Sequence, residues 1–223
     1  MFNPNVIVPR DTSESENGET ERALRLLEKM LENPVELGVG RAGRVFSLPE
    51  QSICIKQIID GSKEFSLNNV KEEIALMAEA RGAGVRVPHP MMAVQAKEGD
   101  FIVMETIDGH SIKDIWAKGI PLPPNYDHDR FWDTLERLIT RLNGAGIHHR
   151  DLHEGNVMME WTTGDPVIID FGLSCQAFDE DDPYREVDFP RVGELHLFNR
   201  DRDQVTQLRV KMLKYLQRNR TRV

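Results

Sequence analysis

An α+β fold with room for two small lobes is predicted by three observations. Strand patterns gather before residue 105 around an amphipathic helix, helical periodicity prevails after it, and 223 residues suffice for two small lobes. Composition agrees, because 39% hydrophobic with 29% charged residues suits a globular chain. Residues 1–20 are expected to be a disordered leader, since Asp11 to Glu21 is polar, acidic and free of large apolar side chains. Residues 21–105 then make the first lobe and residues 106–223 the second.

The elements follow in chain order. Leu24, Leu27 and Leu31 share one helical face, and Asn33-Pro34 ends that leading helix. Arg44 to Leu48 and Ile53 to Ile58 read as strands joined by the turn Pro49 to Ser52. Asn69 with Glu72 has the form of an N-cap and its third-residue partner, and Val70, Ile74 and Met77 repeat at helical spacing, so a helix is expected from Asn69 to Ala80. Pro121-Leu122-Pro123-Pro124-Asn125 reads as a rigid linker between the lobes. Asp129 to Gly144 follows as a helix with Phe131, Leu135, Leu138 and Leu142 on one stripe. Val157 to Glu160 and Val167 to Ile169 flank the turn Thr163-Gly164-Asp165-Pro166, a hairpin. The end of the chain predicts a helix packed through Val205, Leu208, Met212 and Tyr215, with a frayed basic tail.

Two segments carry chemistry. His149-Arg150-Asp151-Leu152-His153-Glu154-Gly155-Asn156, followed by Ile169-Asp170-Phe171-Gly172, holds three groups in the order and spacing of a phosphoryl-transfer centre. Such a reaction asks for a base, metal ligands and a cation on the nucleotide phosphates. Asp151 can be the base, while Asn156 and Asp170 offer oxygens to a hard cation such as Mg²⁺. Upstream, Gly38 to Val45 reads G-x-G-x-x-G-x-V. A dinucleotide-binding turn would need a helix opening at the third glycine, and a strand follows Gly43 instead. Gly38, Gly40 and Gly43 let backbone approach phosphates closely. Lys56, within Ile53-Cys54-Ile55-Lys56, then reaches the α- and β-phosphates of ATP. A lysine so placed needs a carboxylate from a nearby helix, and Glu73 or Glu72 can supply it. Glu73 is favoured, because Met77 one turn later then falls on the inward face.

With these motifs in order, the chain resembles the protein-kinase-like superfamily over roughly residues 35 to 200. The resemblance implies an ATP- and Mg²⁺-dependent phosphotransferase with Asp151, Lys56, Asn156 and Asp170 as its catalytic set. It also implies Met104 as gatekeeper, Glu105 and Ile107 offering backbone groups to adenine, Val45 and Cys54 above the ring, and Met158 below it. Past Gly172 there is no A-P-E motif. Asp188 is expected to start the helix that buttresses the catalytic loop, and an acid among Asp179, Glu180, Asp181 and Asp182 is a candidate permanent partner for Arg150. The short ending resembles the RIO kinases and the small kinase of the tRNA threonylcarbamoyl-modifying complex, as well as truncated kinases that bacteria deliver into host cells.

The leading expectation is a compact atypical serine/threonine protein kinase with a protein substrate. His153 stands where such kinases carry a lysine on the γ-phosphate, and D-L-H-E-G-N resembles small-molecule phosphotransferases of the aminoglycoside type, which is the alternative. A nucleotide-dependent binding module is the third reading, disfavoured by the intact set of Lys56, Asp151, Asn156 and Asp170. A formal net charge of −9 argues against a surface devoted to nucleic acid. The basic residues from Arg209 to Arg222 leave RNA, an acidic partner or a lipid headgroup as possible contacts for the tail. No apolar run approaches the length of a membrane span, and Met1 to Asn5 lacks a signal pattern. Cys54 and Cys175, without metal-ligand spacing, read as reduced thiols of a cytosolic protein.

Overall fold

The computed structural model describes residues 5–7, 21, 24–25, 27–29, 32, 35–40, 43–47, 52–58, 68–97, 99–176 and 201–220. The chain divides into two compact units, one of Met1–Gly82, Val87–Ile107 and Phe171–Leu173, the other of Ala83–Arg86, Asp108–Asp170 and Ser174–Val223. Asn68 ties the short piece after Asp170 to the first unit. Its side-chain amide donates to Phe171 O at 2.7 Å, and its backbone N–H donates to Gly172 O at 3.0 Å. Arg86 belongs with the second unit because it pairs with Glu160 at 2.7 Å and its carbonyl accepts from Ile168 N at 3.0 Å.

The first unit is built on an antiparallel six-stranded sheet. Its strands are β1 (Asn5–Ile7), β2 (Val35–Val39), β3 (Gly43–Ser47), β4 (Ile53–Ile58), β5 (Pro90–Ala96) and β6 (Gly99–Glu105), in the spatial order β1-β5-β6-β4-β3-β2. Side chains alternate between the two faces of a strand. Ile53 and Ile55 of β4 therefore join Phe46, Val94, Phe101 and Val103 in one apolar cluster, which Leu27 completes. Leu24 packs against the same cluster, as its helical spacing with Leu27 predicts. Helix α1 (Val70–Gly82) covers the opposite face through Val70 and Ile74 against Ala93 and Ile102. Its start is a capping box: Asn69 Oδ1 accepts from Lys71 N and Glu72 N, and Glu72 Oε2 accepts from Asn69 N at 2.9 Å.

Asn5–Ile7, inside the expected disordered leader, forms β1 on the edge of the sheet, because Val6 packs on one of its clusters and Ile7 on the other. The other leader residues, 1–4 and 8–20, lie outside the described residues.

The second unit holds helices α2 (Ile112–Lys118), α3 (His128–Gly144) and α4 (Asp201–Arg220). Two small sheets accompany them. One has the order β10 (Pro166–Ile168), β9 (Val157–Glu160), β7 (Gly109–Ser111), and the other pairs β8 (Ile147–His148) with β11 (Cys175–Gln176). Asp127 caps α3 by accepting from Arg130 N at 2.8 Å, and the expected stripe of Phe131, Leu135, Leu138 and Leu142 is buried. Pro121 to Asn125 joins α2 to α3 inside this unit and is not a linker between the two units. After β6 the chain passes from the first unit to the second at Ile107 and Asp108. Helix α4 buries Val205, Leu208 and Met212 as its periodicity predicts, and the Tyr215 hydroxyl donates to Ile115 O at 3.3 Å. Arg209 reaches Asp129, Asp133 and Glu136 on α3, and Lys211 pairs with Glu154 at 3.2 Å. Half-exposed pairs of this kind are worth about 0.2–1 kcal/mol, so apolar burial dominates the docking of α4.

Leu27 is fully buried in the first unit's core. Leu27→Ala should therefore cost about 2–5 kcal/mol, read as a lowered urea midpoint at unchanged slope. A loss within a few tenths of a kcal/mol would show that the leading helical residues do not stabilise the sheet.

Candidate active site

In the first unit the period of two puts Cys54 and Lys56 on the sheet face that α1 covers. Lys56 Nζ meets Glu73 Oε1 at 2.7 Å with both side chains buried. Glu72 is exposed and used by the capping box, so the choice between the two acids is settled by helix geometry. Met77, one turn beyond Glu73, is buried on the same face. The glycines differ in kind. A Cβ on Gly43 would lie 2.5 Å from the Gln57 carbonyl oxygen, so the β3–β4 pairing itself requires glycine there. Among the described residues nothing lies within 4 Å of a Cβ placed at Gly38, and at Gly40 the nearest atom is at 3.7 Å. Gly40 N donates to Gly43 O at 2.8 Å, while Arg41 and Ala42 lie outside the described residues.

The expected adenine-contacting residues of this unit adjoin the lysine in register. Val45 pairs with Lys56, and Cys54 pairs with Met104. Glu105 N–H already donates to His89 O at 2.9 Å, so only its carbonyl can serve a ligand, and that oxygen accepts weakly from Cys54 Sγ at 3.4 Å. Ile107 is buried. Burial pushes the Cys54 thiol from 9.0 up to about 11, which keeps it protonated and unreactive at neutral pH.

The second unit holds the transfer loop, and its hydrogen bonds define it. His149 is fully buried. Its Nδ1 faces Asp151 N at 3.3 Å and its Nε2 faces Ile169 O at 3.0 Å. A ring that accepts at Nδ1 and donates at Nε2 is the neutral Nε2–H tautomer. Asn156, also buried, donates its Nδ2 to Asp151 O at 2.9 Å and to Asp151 Oδ2 at 3.1 Å. Both donated bonds use the amide nitrogen, so Oδ1 is the atom Asn156 offers elsewhere. Asn156 O accepts from Ile169 N at 3.0 Å, so Ile169 is clamped between Asn156 and His149 and sets the position of Asp170. Asp170 takes φ 66° and Arg150 φ 69°, the two non-glycine residues with positive φ among the described residues. Such backbone costs of order 1–3 kcal/mol per residue and persists only where neighbours enforce it. Met158 is half-buried on β9.

Sequence reasoning missed the group that enforces it. Asp201 opens α4 and is buried, with Oδ2 accepting from His149 N at 2.9 Å and Oδ1 from Arg150 N at 2.8 Å. Gln204, one turn later, accepts from Leu152 N at 3.0 Å. Asp188, the expected buttress, lies outside the described residues, as do Asp179, Glu180, Asp181 and Asp182. The available signal was the acid opening the last apolar periodic run, a position equally suited to a plain helix start. The Arg150 side chain is buried, and its Nε has no hydrogen-bond partner among the described residues.

No group of three or more His, Cys, Asp or Glu side chains that could hold a metal is present among the described residues. Asn156 and Asp170 nonetheless fit Mg²⁺, which is ordinarily held by one or two protein oxygens together with substrate phosphates. No described helix is long and apolar enough to cross a membrane.

Two outcomes are expected. Asp201→Asn replaces one accepting oxygen by a donor and strands a backbone N–H, so stability should fall by about 1–3 kcal/mol and amide exchange at His149 and Arg150 should accelerate. Unchanged protection at both amides would exclude this buttress. For Cys54, the folded state holds its proton between 9.0 and about 11 while the unfolded chain releases it. The contribution is therefore present below pH 9.0 and lost as pH rises to about 11. Cys54→Ala should flatten that alkaline decline in denaturation midpoint, and an unaltered decline would assign it to other groups.

The family model described as protein kinase domain matches residues 31–189. The chain is 27% identical over 158 residues to serine/threonine-protein kinase pkn3 of Myxococcus xanthus, a match covering 66% of this chain and 28% of that protein. It is 30% identical over 112 residues to the probable serine/threonine-protein kinase BUD32 homolog of Archaeoglobus fulgidus, covering 50% of this chain and 49% of the relative. It is 30% identical over 178 residues to the EKC/KEOPS complex subunit BUD32 of Yarrowia lipolytica, covering 66% of this chain and 70% of that subunit. The chain thus spans less than half the length of the first two relatives. A family model that extends from the leading helix through the sheet, the buried Lys56–Glu73 pair and the transfer loop makes the chain a member of the protein kinase domain family.

Proposed function

We propose that this protein is a compact, atypical ATP- and Mg²⁺-dependent serine/threonine protein kinase. The observation that carries the reading is the bonding of Asn156 Nδ2 to both the carbonyl and the carboxylate of Asp151, which fixes one candidate base and frees one amide oxygen. Asp151 orients the acceptor hydroxyl and takes its proton. The hydroxyl oxygen forms the new bond to the γ-phosphorus as the bond to the leaving ADP oxygen breaks. Asn156 Oδ1 and the Asp170 carboxylate would hold Mg²⁺, which neutralises charge on the phosphates when bound. Lys56, held by Glu73, would hold the α- and β-phosphates. Gly38, Gly40 and Gly43 would admit the phosphates to backbone, with Val45, Cys54, Met104, Glu105, Ile107 and Met158 taking the adenine.

Protein acceptors are favoured by the kinase relatives. A small-molecule acceptor is the second reading, favoured by His153 at the position where serine/threonine kinases carry lysine. A complex partner is suggested by the Yarrowia lipolytica relative, whose name places it in the EKC/KEOPS complex. The basic end of α4 is a weaker candidate for partner contact, since Arg209 and Lys211 are already ion-paired. The sparse cysteine content, Cys54 and Cys175 alone, supports a reducing, cytoplasmic location.

The expected test result is that Asp151→Asn lowers transfer from labelled ATP by about 10²–10⁴-fold while leaving ATP binding intact. Asp170→Asn should in addition weaken Mg²⁺-dependent nucleotide binding. Equal transfer by wild type and Asp151→Asn would remove Asp151 from the mechanism. Label appearing only in a metabolite pool, never in protein, would favour the second reading.

A further inference from the structure

The His153 ring is held in an unusual way. Its Nδ1 accepts from Gly155 N at 2.9 Å, so the neutral ring carries its proton on Nε2. That Nε2 lies 3.6 Å from Asp151 Oδ2, the same oxygen to which Asn156 donates at 3.1 Å. The ring's place depends on glycine two residues on, because a Cβ at Gly155 would lie 2.7 Å from His153 Cε1 and 3.0 Å from Nδ1. Lys113 N, donating to Glu154 O at 2.7 Å, fixes the loop between them. Oδ2 of Asp151 thus faces two donors, whereas Oδ1 makes no hydrogen bond among the described residues.

We propose that His153 is a positioning residue for Asp151, its Nε2–H restraining Oδ2 so that Oδ1 is the oxygen presented to the acceptor hydroxyl. The inference rests on the reading of Asp151 as the base. It assigns His153 to the carboxylate and not to the γ-phosphate, where a lysine at this position would act. The separation of 3.6 Å is longer than a hydrogen bond, as catalytic contacts often are before reactants bind. Because the ring is neutral in this arrangement, the role is one of direction and not of charge.

Two substitutions separate the two nitrogens. In His153→Asn the side-chain oxygen can take over the bond from Gly155 N, but no donor reaches Asp151. In His153→Gln the terminal amide nitrogen reaches as far as imidazole Nε2 and restores the donor. The assay is ADP release and phosphate transfer from Mg·ATP by the full chain, with casein as acceptor and Asp151→Asn as control. His153→Asn should lower kcat about tenfold, the scale of one lost orienting bond, with KM for ATP unchanged. His153→Gln should return kcat to within about threefold of wild type. Wild-type kcat in His153→Asn beside an inactive Asp151→Asn would overturn the inference and leave the base assignment standing. The same would follow from a rise in KM for ATP with kcat unchanged, or from His153→Gln as slow as His153→Asn. Full transfer by Asp151→Asn, or no turnover by wild type, would overturn the kinase reading and this inference with it.

Discussion

A buried carboxylate beneath a strained loop is the constraint on which the second unit depends. Asp201 takes the backbone N–H groups of two consecutive residues, His149 and Arg150, one on each oxygen. Hydrogen bonds to a charged acceptor are stronger than neutral ones, and two on a single carboxylate fix direction as well as distance. That is what allows Arg150 to hold φ 69°, a conformation a side chain-bearing residue does not keep unaided. With Arg150 turned, Asp151 leaves the loop where Asn156 can reach both its carbonyl and its carboxylate. The apolar burial of Val205, Leu208 and Met212 keeps α4, and so its first residue, in register beneath the loop.

In the first unit the comparable constraint is the Lys56–Glu73 pair. Burying two charges costs several kcal/mol per ion, and attraction at 2.7 Å does little more than offset this. Hydrophobic residues of similar size could be as stable, so the pair is better understood as a way of holding an ammonium group in place. The sheet supplies rigidity on one side and the capped α1 on the other. Breaking the contact removes the 2.7 Å partner of each buried charge, at a cost larger than the pair's net worth.

The two functional stretches show opposite uses of glycine. At Gly43 a backbone oxygen leaves no room for a Cβ, and at Gly155 a Cβ would displace the His153 ring. At Gly38 no described residue lies within 4 Å of an added Cβ, so the described structure sets no requirement for glycine there. The same motif letter thus answers to different physical demands, and only coordinates separate them.

How much was legible in the sequence depends on the range of the physics involved. Local rules act within a few residues, so the capping box at Asn69 and Glu72, the stripe on α3, the hairpin of β9 and β10 and the strand carrying Lys56 could all be read directly. Motif spacing singled out Asp151, Asn156 and Asp170 as candidates because one short loop and one strand end carry them. What lay beyond reach joins residues distant in the chain. Asp201 sits 52 positions from His149, and nothing in its own neighbourhood separates a loop buttress from an ordinary helix start. Asn5–Ile7 became a strand because a sheet edge was there to receive it, and the orientation of His153 followed from a backbone N–H and a missing Cβ at Gly155. The sequence alone determined the elements with strong local periodicity, the charge inventory and the set of chemical groups, because periodicity and side-chain chemistry are local properties. Tertiary structure decided which acid meets Lys56, which carboxylate carries the loop and which way His153 faces, because burial and hydrogen-bond direction exist only once distant segments pack.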